Sequence, residues 1–263
     1  MNTTPHIGII GVFAGLLLIL PAVLLVWKLK LGFNRELIVG AGRMLIQLGF
    51  VGLYLSYIFK LDNAFVNIAY LLMMVFFAAL SGIKNSSLRL KRFLWQTFVA
   101  MLLPVFFTLI YFNLTVVQIP NIFRADIMIP IGGMMLGNIL KSNIVALKTF
   151  FNMVKREERV YLYLLAAGAN RNEALRPFLK EAVKTAMAPN IATMATAGLV
   201  SLPGMMTGQI IGGSDPALAV KYQIMIMLMI FFTGLVSILI QLYFAIKQGF
   251  DGSDRFDKSL LRK

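Results

Sequence analysis

Long apolar runs separated by short polar stretches account for most of this sequence. An α-helix needs about 20 consecutive apolar residues to cross the hydrocarbon core of a bilayer, and seven stretches of the chain approach or exceed that length. The pattern therefore predicts an all-α, polytopic membrane protein with about seven transmembrane helices. The predicted spans are Ile7–Trp27, Leu37–Phe59, Ala64–Ile83, Phe93–Asn113, Ile127–Phe150, Ile191–Gly212 and Ala217–Ile246.

The polar connection between the fifth and sixth spans, residues 152–189, differs from the other connections. Its many charged side chains predict that it lies in water, yet apolar residues recur at helical spacing through its first half. Gly168 is the predicted stop of a first helix. Asn170, with Glu173 three residues on, predicts an N-cap and a capping box for a second helix. We expect a helix–glycine–helix hairpin here, which on a membrane protein is typical of a docking surface.

The distribution of lysine and arginine predicts the orientation of the chain. These residues collect in the cytoplasmic loops of membrane proteins. Of the 25 lysines and arginines, 20 fall in loops or adjoining span ends on the side of the 152–189 connection and three on the other side. Arg43 and Lys141 lie within predicted spans. The sequence thus predicts an external N-terminus, a cytoplasmic hairpin and a cytoplasmic C-terminus in the inner (plasma) membrane of the cell.

Composition agrees with this class and removes others. Hydrophobic residues make up 59% of the chain and charged residues 14%, whereas about a quarter of a soluble domain is charged. The net charge of +14 follows from the loop asymmetry, so no nucleic-acid partner is predicted. The chain has no cysteine, which excludes disulfides and thiolate metal sites. We expect one membrane domain, residues 1–248, and a frayed, polar cytoplasmic tail, residues 249–263.

The second span contains an arginine, Arg43, followed one turn later by Gln47. An arginine within a span either extends along the helix to the headgroups or faces protein or water inside the bundle. Arg43 lies about 10 Å of helical rise past Glu36, which leaves both interpretations open. On the second interpretation, Arg43 and Gln47 face a translocation path or a partner subunit.

The two spans that flank the hairpin share the pattern Gly-Met-Met-x-Gly, followed by an amide residue and preceded by a proline. Glycines four apart permit close helix packing, and polar groups in mid-membrane face protein or water. We predict that both segments line a common central region, as a translocation path, a helix-packing surface or both. The residues are Pro130, Gly133, Met134, Gly137 and Asn138 in the first segment and Leu202, Pro203, Gly204, Met205, Met206, Gly208 and Gln209 in the second. Thioether sulfurs are ligands of soft metals, and the candidates are Met134, Met205 and Met206.

The connection before the last span predicts a tight external turn. Asp215 is a helix N-cap residue, and Pro216 suits the first helical position after it. Tyr222 and Gln223 are assigned to the same external region, at the start of the last span.

The sequence lacks the motifs of several enzyme classes. It has no Gly-x-x-x-x-Gly-Lys-[Ser/Thr] phosphate loop and no His-Glu-x-x-His zinc motif, so we expect no enzyme activity. No aspartate or glutamate falls inside a predicted span, although proton-coupled carriers usually need such a group. A transporter with this sequence would draw its energy from outside the chain.

The segment from Ser201 to Ile210, with the downstream Asp215-Pro216 and Lys221-Tyr222-Gln223-Ile224, resembles the hallmark of the Fet-type iron-export ABC permeases. These are bacterial membrane subunits whose plant relatives are linked to aluminium tolerance. The resemblance covers the whole chain. It implies a permease domain over residues 1–248 that forms a homodimer and is paired with two copies of a separate ATP-binding cassette subunit. ATP and Mg²⁺ would belong to that partner, with no cofactor in this chain.

The segment Leu165-Ala166-Ala167-Gly168-Ala169 is similar to the coupling loop of ABC permeases, usually written Glu-Ala-Ala-x-x-x-Gly. The match is partial because Leu162 stands where that glutamate would fall. The resemblance implies that this loop docks on the ATP-binding subunit. The residues assigned to the docking surface are Arg159, Leu165, Gly168, Ala169, Asn170, Glu173 and Ala174.

The family resemblance favours export of a metal ion such as iron. Two alternatives stay open, an ATP-independent channel or membrane scaffold, and an ABC permease for a non-metal cargo such as a nucleotide sugar. Family members often carry acidic or lysine residues near the start of the sixth span, where this chain has Ala192-Thr193-Met194-Ala195-Thr196. The cargo is therefore open.

Overall fold

The computed structural model describes residues 8–86, 88–250 and 254–257 of the chain. Regular structure in these residues is helical, as predicted. Ile7, the first residue of the first predicted span, and tail residues 251–253 and 258–263 lie outside the described residues. The helices are α1 (Ile9–Leu16), α2 (Ile19–Lys28), α3 (Asn34–Leu61), α4 (Ala64–Asn85), α5 (Leu90–Tyr111) continued by a π-helix (Phe112–Val117), α6 (Ala125–Arg156), α7 (Glu158–Ala166), α8 (Arg171–Thr196), α9 (Gly204–Ile211) and α10 (Pro216–Gly249).

Five segments of the described chain are long and apolar enough to cross a membrane. They coincide with α1–α2, α3, α4, α5 with its π-helix, and α10. Helix α6 contains the predicted fifth span and is 32 residues long, but Asn138, Lys141 and Asn143 lower its mean hydropathy. The protein is thus a multi-pass membrane protein, and the predicted number of seven spans is not confirmed.

The predicted sixth span, Ile191–Gly212, is not one helix. Helix α8 ends at Thr196, and the eight-residue helix α9 starts only at Gly204. Gly198 has a φ of +86°, a left-handed conformation that ends helices. Pro203 then disfavours the helical region at the residue before it. The prediction of a continuous span was wrong because these two backbone constraints interrupt the helix.

Helix α6 is the centre of the packed bundle. Helices α4, α5, α8 and α10 pack around it, and they enclose two apolar clusters. The cluster near the hairpin includes Phe150, Phe151 and Phe178. The other cluster lies along the first half of α6 and includes Met135 and Ile139.

Helices α1–α3 lie outside this bundle. Helix α3 has no buried residue, and Val26 is the buried residue of α2. The break between α1 and α2 lies at Leu17–Leu18, because the ring of Pro21 clashes with the carbonyl of residue 17 and offers it no N–H. Most of the surface of these three helices is therefore open to lipid or to another protein.

Residues of the predicted tail pack against the hairpin instead of fraying. Phe250 and Phe256 are buried in the apolar cluster near the hairpin, and the backbone N–H of Asp257 donates to the carbonyl of Gly249 at 2.9 Å. Arg92 on α5 forms an ion pair with Asp257 at 2.9 Å. The expectation of a frayed tail was wrong for these residues because two phenylalanines supply apolar surface to bury.

Candidate functional site

A cavity of about 200 Å³ lies between α6, α8, α10 and the start of α9. The predicted residues Met134 and Asn138 of α6 line it, as do Pro203, Gly204 and Met205. The two Gly-Met-Met segments, about 70 positions apart in the chain, thus meet at one place. Pro203, Gly204 and Met205, at the break and the start of α9, lie in the lining, and α9 itself packs on α10. Irregular backbone at membrane depth is tolerated where it lines a cavity.

Several predicted residues lie outside this cavity. Gly133 packs on α4, where an added Cβ would lie 3.0 Å from Cε of Met74. An added Cβ at Gly137, Gly204 or Gly208 would meet nothing within 4 Å among the described residues. The remaining path residues do not line the cavity; they are Arg43, Gln47, Pro130, Leu202, Met206, Gly208 and Gln209.

The predicted external turn is found only in part. Asp215 caps α10, with its Oδ2 accepting a hydrogen bond from the backbone N–H of Leu218 at 3.1 Å, and Pro216 is the first helical residue. Tyr222 and Gln223 lie inside α10. Tyr222 contacts the ring of Phe112 with centroids 6.4 Å apart, and Gln223 lines the cavity.

Sequence reasoning missed seven lining residues, which are Asn190, Thr193, Met194, Ile226, Met227, Ile230 and Phe231. A helical-face argument on α10 could have found Met227, because it lies four residues after Gln223. The sequence gives less indication of the lining residues on α8, because the sixth predicted span, Ile191–Gly212, is not one continuous helix.

Hydrogen bonds between amide and hydroxyl side chains hold the lining helices together. Asn190 Nδ2 donates to Ser142 Oγ at 3.2 Å, which joins α8 to α6. Asn143 Nδ2 donates to Ser237 Oγ at 2.9 Å, which joins α6 to α10. Gln223 is 8% exposed, and its Oε1 has no hydrogen-bond partner in the described structure. Such side-chain bonds fix helix register inside a membrane, so the cavity has a defined polar lining.

The lining carries no charged side chain among the described residues. The same residues also contain no group of three or more His, Cys, Asp or Glu that could hold a metal ion. What the cavity offers is amide oxygens and nitrogens, a threonine hydroxyl, and methionine sulfurs. This donor set suits neutral or weakly charged ligands and soft ions better than hard divalent ions.

The hairpin between α7 and α8 has the local structure that the sequence predicted. Gly168 has a φ of +93°. The N–H groups of Gly168 and Ala169 donate to the carbonyls of Leu165 and Leu164, both at 3.0 Å, the two bonds of a Schellman motif. Asn170 Oδ1 accepts from the N–H of Glu173 at 3.0 Å, and Glu173 Oε2 accepts from the N–H of Asn170 at 2.9 Å. This reciprocal capping box starts α8.

The predicted docking residues of the hairpin differ in accessibility. Arg159, Gly168, Asn170 and Glu173 are exposed, and Leu165 and Ala169 are half-buried. Ala174 is fully buried in the apolar cluster, so it cannot contact a partner directly.

The C-terminal segment fixes the hairpin to the bundle. The hydroxyl of Tyr161, a fully buried residue of α7, donates to the carbonyl of Asp254 at 2.8 Å. Arg171 at the start of α8 forms an ion pair with the carboxylate of Asp254. Tyr161 also packs on Phe250, with ring centroids 5.4 Å apart. Both arms of the hairpin are therefore held by one short stretch of chain.

Membrane-length helices around an uncharged cavity, with a charged hairpin between two lining helices, define a polytopic membrane protein with a cavity between its helices. The family model of UPF0014, described as an uncharacterised protein family, matches residues 9–250. The chain belongs to the UPF0014 family.

Relatives of this chain confirm the resemblance to the Fet-type proteins and their plant counterparts. It is similar to the probable iron export permease protein FetB of Escherichia coli (strain K12), with 31% identity over 250 residues that cover 94% of each chain. It shares 31% identity over 237 residues with the protein ALUMINUM SENSITIVE 3 of Arabidopsis thaliana, covering 90% of this chain and 85% of the relative. It shares 32% identity over 213 residues with the UPF0014 membrane protein YjkA of Bacillus subtilis (strain 168), covering 80% and 83%. No solved structure matches the chain.

Proposed function

We propose that the protein is the membrane-spanning permease subunit of an ABC transporter and that it exports a metal ion, with iron as the first candidate. One observation carries the proposal: the hairpin joins α6 and α8, two of the three long helices that line the cavity. Met134 and Asn138 lie on α6, and Asn190 and Thr193 lie on α8. A movement imposed on the hairpin would reach the cavity through both helices. The name of the relative FetB supports a metal cargo.

The hairpin is suited to transmit movement because it is stiff. The Schellman motif and the capping box leave little freedom at the turn, and Tyr161 and Arg171 tie its two arms to Asp254. Helix α8 continues without a break from the turn to Thr193, about 30 Å away at 1.5 Å per residue. It would link a partner at the turn to the cavity, with Pro177 and Pro189 inside it as the positions where it bends most easily.

The partner in this proposal is a separate ATP-binding cassette subunit, which would hold the ATP and Mg²⁺. The concentration of lysine and arginine on the hairpin side supports a cytoplasmic location for the docking surface. Of the residues assigned to docking, the two charged ones, Arg159 and Glu173, are exposed. Asn170 and Glu173 keep the turn in shape through their backbone bonds.

A homodimer of the permease is the second part of the proposal. Helix α3 has no buried residue in this chain, and it carries Arg43 and Gln47 within a membrane-length helix. An arginine at the centre of a lipid-facing helix costs about 2.5–3.5 kcal/mol on insertion scales. Contact with a second copy would remove part of that cost, which favours α3 as the dimer surface.

Replacement of Gly168 by valine tests the coupling role. A β-branched residue with positive φ is strained by about 1–2 kcal/mol, so the Schellman turn should be lost while the helices stay in the membrane. We expect the Gly168→Val permease to insert and fold, and to lose ATP-driven transport when it is reconstituted in proteoliposomes with the ATP-binding subunit. The measurement is ATP-dependent flux across a screen of candidate metals, beginning with Fe²⁺.

Gly168→Asn is the matched control, because asparagine tolerates the left-handed conformation. It should keep most of the flux. Equal flux in the wild type and the Gly168→Val variant would show that the turn does not couple the two proteins. Flux through the permease alone, without nucleotide, would favour a channel instead.

A further inference from the structure

We infer that the cavity binds a soft, singly charged metal ion of the Cu⁺ or Ag⁺ type through methionine sulfurs. The inference rests on the proposed function of metal export, but it names a softer, singly charged ion in place of iron, the cargo that the name of the relative FetB suggests. Four methionines from four helices line the same cavity: Met134 on α6, Met194 on α8, Met205 on α9 and Met227 on α10.

These methionines are a selected subset of the chain's 16. Met135, the neighbour of Met134, is fully buried in the apolar cluster along α6, and Met206, the neighbour of Met205, does not line the cavity. Each Gly-Met-Met segment thus places one methionine in the cavity lining and the other outside it. Met134 and Met205 also pack against the apolar cluster along α6.

The absence of charge at the described lining decides which ions fit. A divalent ion loses a large hydration energy on entry, and no carboxylate in the lining compensates for that loss. The start of α9 at Gly204 adds the positive end of a helix dipole, which disfavours any cation and a doubly charged ion about twice as strongly as a singly charged one. A soft monovalent ion is dehydrated more easily and forms strong bonds to thioether sulfur.

The size of the cavity points the same way. Pockets for organic ligands of drug size measure about 300–1,000 Å³, whereas this cavity measures about 200 Å³. It can hold an ion among side chains but is small for a nucleotide sugar. Gln223, whose Oε1 lacks a hydrogen-bond partner in the described structure, is a neutral oxygen donor near the sulfurs.

Equilibrium dialysis of the purified full chain against Ag⁺ in chloride-free buffer tests the inference, with bound silver measured by mass spectrometry. Silver does not change oxidation state under these conditions, and the chain has no cysteine to compete. The double variant Met134→Leu/Met205→Leu should weaken the specific binding of Ag⁺ by at least about tenfold, the low end for disturbing a metal site. The control Met135→Leu/Met206→Leu should bind like the wild type.

The affinity for Ag⁺ should be constant between about pH 5 and 8, where histidine titrates and thioethers do not.

If the double variant fails to fold, the pair Met194→Leu/Met227→Leu replaces it. Equal binding by the lining and control variants overturns the inference, and so does stronger saturable binding of Fe²⁺ than of Ag⁺. The dialysis uses the permease alone, so its result does not depend on the ATP-binding subunit. If silver binding depends on the methionines but metals do not stimulate ATP hydrolysis by the complex, only the proposed function is refuted. Metal-driven hydrolysis without such binding would refute only this inference.

Discussion

Helices α3 and α6 carry similar sequence signals but have different surroundings. They are 28 and 32 residues long, and each combines repeated glycines with amide and basic residues inside a predicted span. Helix α6 buries 15 residues against four other helices, whereas α3 buries none. At Gly132 of α6 an added Cβ would lie 2.9 Å from Cδ1 of Leu71, but at Gly49 of α3 it would meet nothing within 4 Å in the described chain.

The comparison shows what a glycine pattern does and does not specify. Repeated glycines show how closely a second helix could approach. They do not show whether that helix belongs to the same chain. In α6 the helices that pack on Gly132 and Gly133 are α4 and α5. In α3 an added Cβ at Gly40, Gly42, Gly49 or Gly52 would meet nothing within 4 Å in the described chain. For this reason we propose that these glycines pack against a second copy.

The largest expected difference between the two helices comes from adding a side chain at their glycines. Gly132→Leu forces Leu71 and its neighbours to move, and overpacking of this kind costs about 1–3 kcal/mol. Gly49→Leu adds a side chain in open space. We expect the free energy of unfolding in detergent to fall for the first variant and to change by less than about 0.5 kcal/mol for the second. Equal losses would mean that α3 is also packed within the monomer.

A smaller difference is expected when an amide is replaced on each helix. Asn143 is 1% exposed and donates to Ser237 Oγ at 2.9 Å; such bonds within membranes contribute about 0.6 kcal/mol on average, with a maximum near 1.7. Asn143→Leu should lower the free energy of unfolding by that amount. Gln47, which is exposed on α3, is the matched control: Gln47→Leu should leave it unchanged. A stable Asn143→Leu variant would show that packing alone holds α6 against α10.

The parts of the structure that follow local rules were predicted residue by residue. The stop at Gly168, the capping box of Asn170 and Glu173, and the cap at Asp215 depend only on neighbouring backbone groups. Apolar runs likewise gave α4 from its first residue, Ala64. The meeting of the two Gly-Met-Met segments was also predicted, because both segments combine features that are costly in lipid.

The rest depends on contacts between distant segments. Met134 and Met135 are equivalent in the sequence, and only the packing of α6 on its neighbours decides that Met134 faces the cavity. Gln223 was assigned to the external end because the sequence shows its place near the start of the last span, whereas only the packing of α10 shows that Gln223 lines the cavity. The buried tail residues Phe250 and Phe256 escaped notice because charged residues surround them in the sequence.

The last prediction concerns the open face of α3 and has the smallest expected effect on the monomer. Arg43→Met keeps the length of the side chain and removes its charge. If α3 contacts a second copy, the loss of a polar contact worth about 1–2 kcal/mol between helices should raise the dissociation constant of the dimer roughly tenfold, with the unfolding of the monomer unchanged. The measurement is the dimer fraction of the full chain in lipid nanodiscs or mild detergent as a function of dilution. Lys60→Met, at the exposed end of the same helix, is the control and should dimerise normally.

If α3 instead faces lipid, removing the charge of Arg43 eliminates a cost of about 2.5–3.5 kcal/mol, so the Arg43→Met variant would be more stable with its dimerisation unaltered. That result would assign the dimer surface to another part of the protein, because one helix cannot present the same arginine to lipid and to a partner.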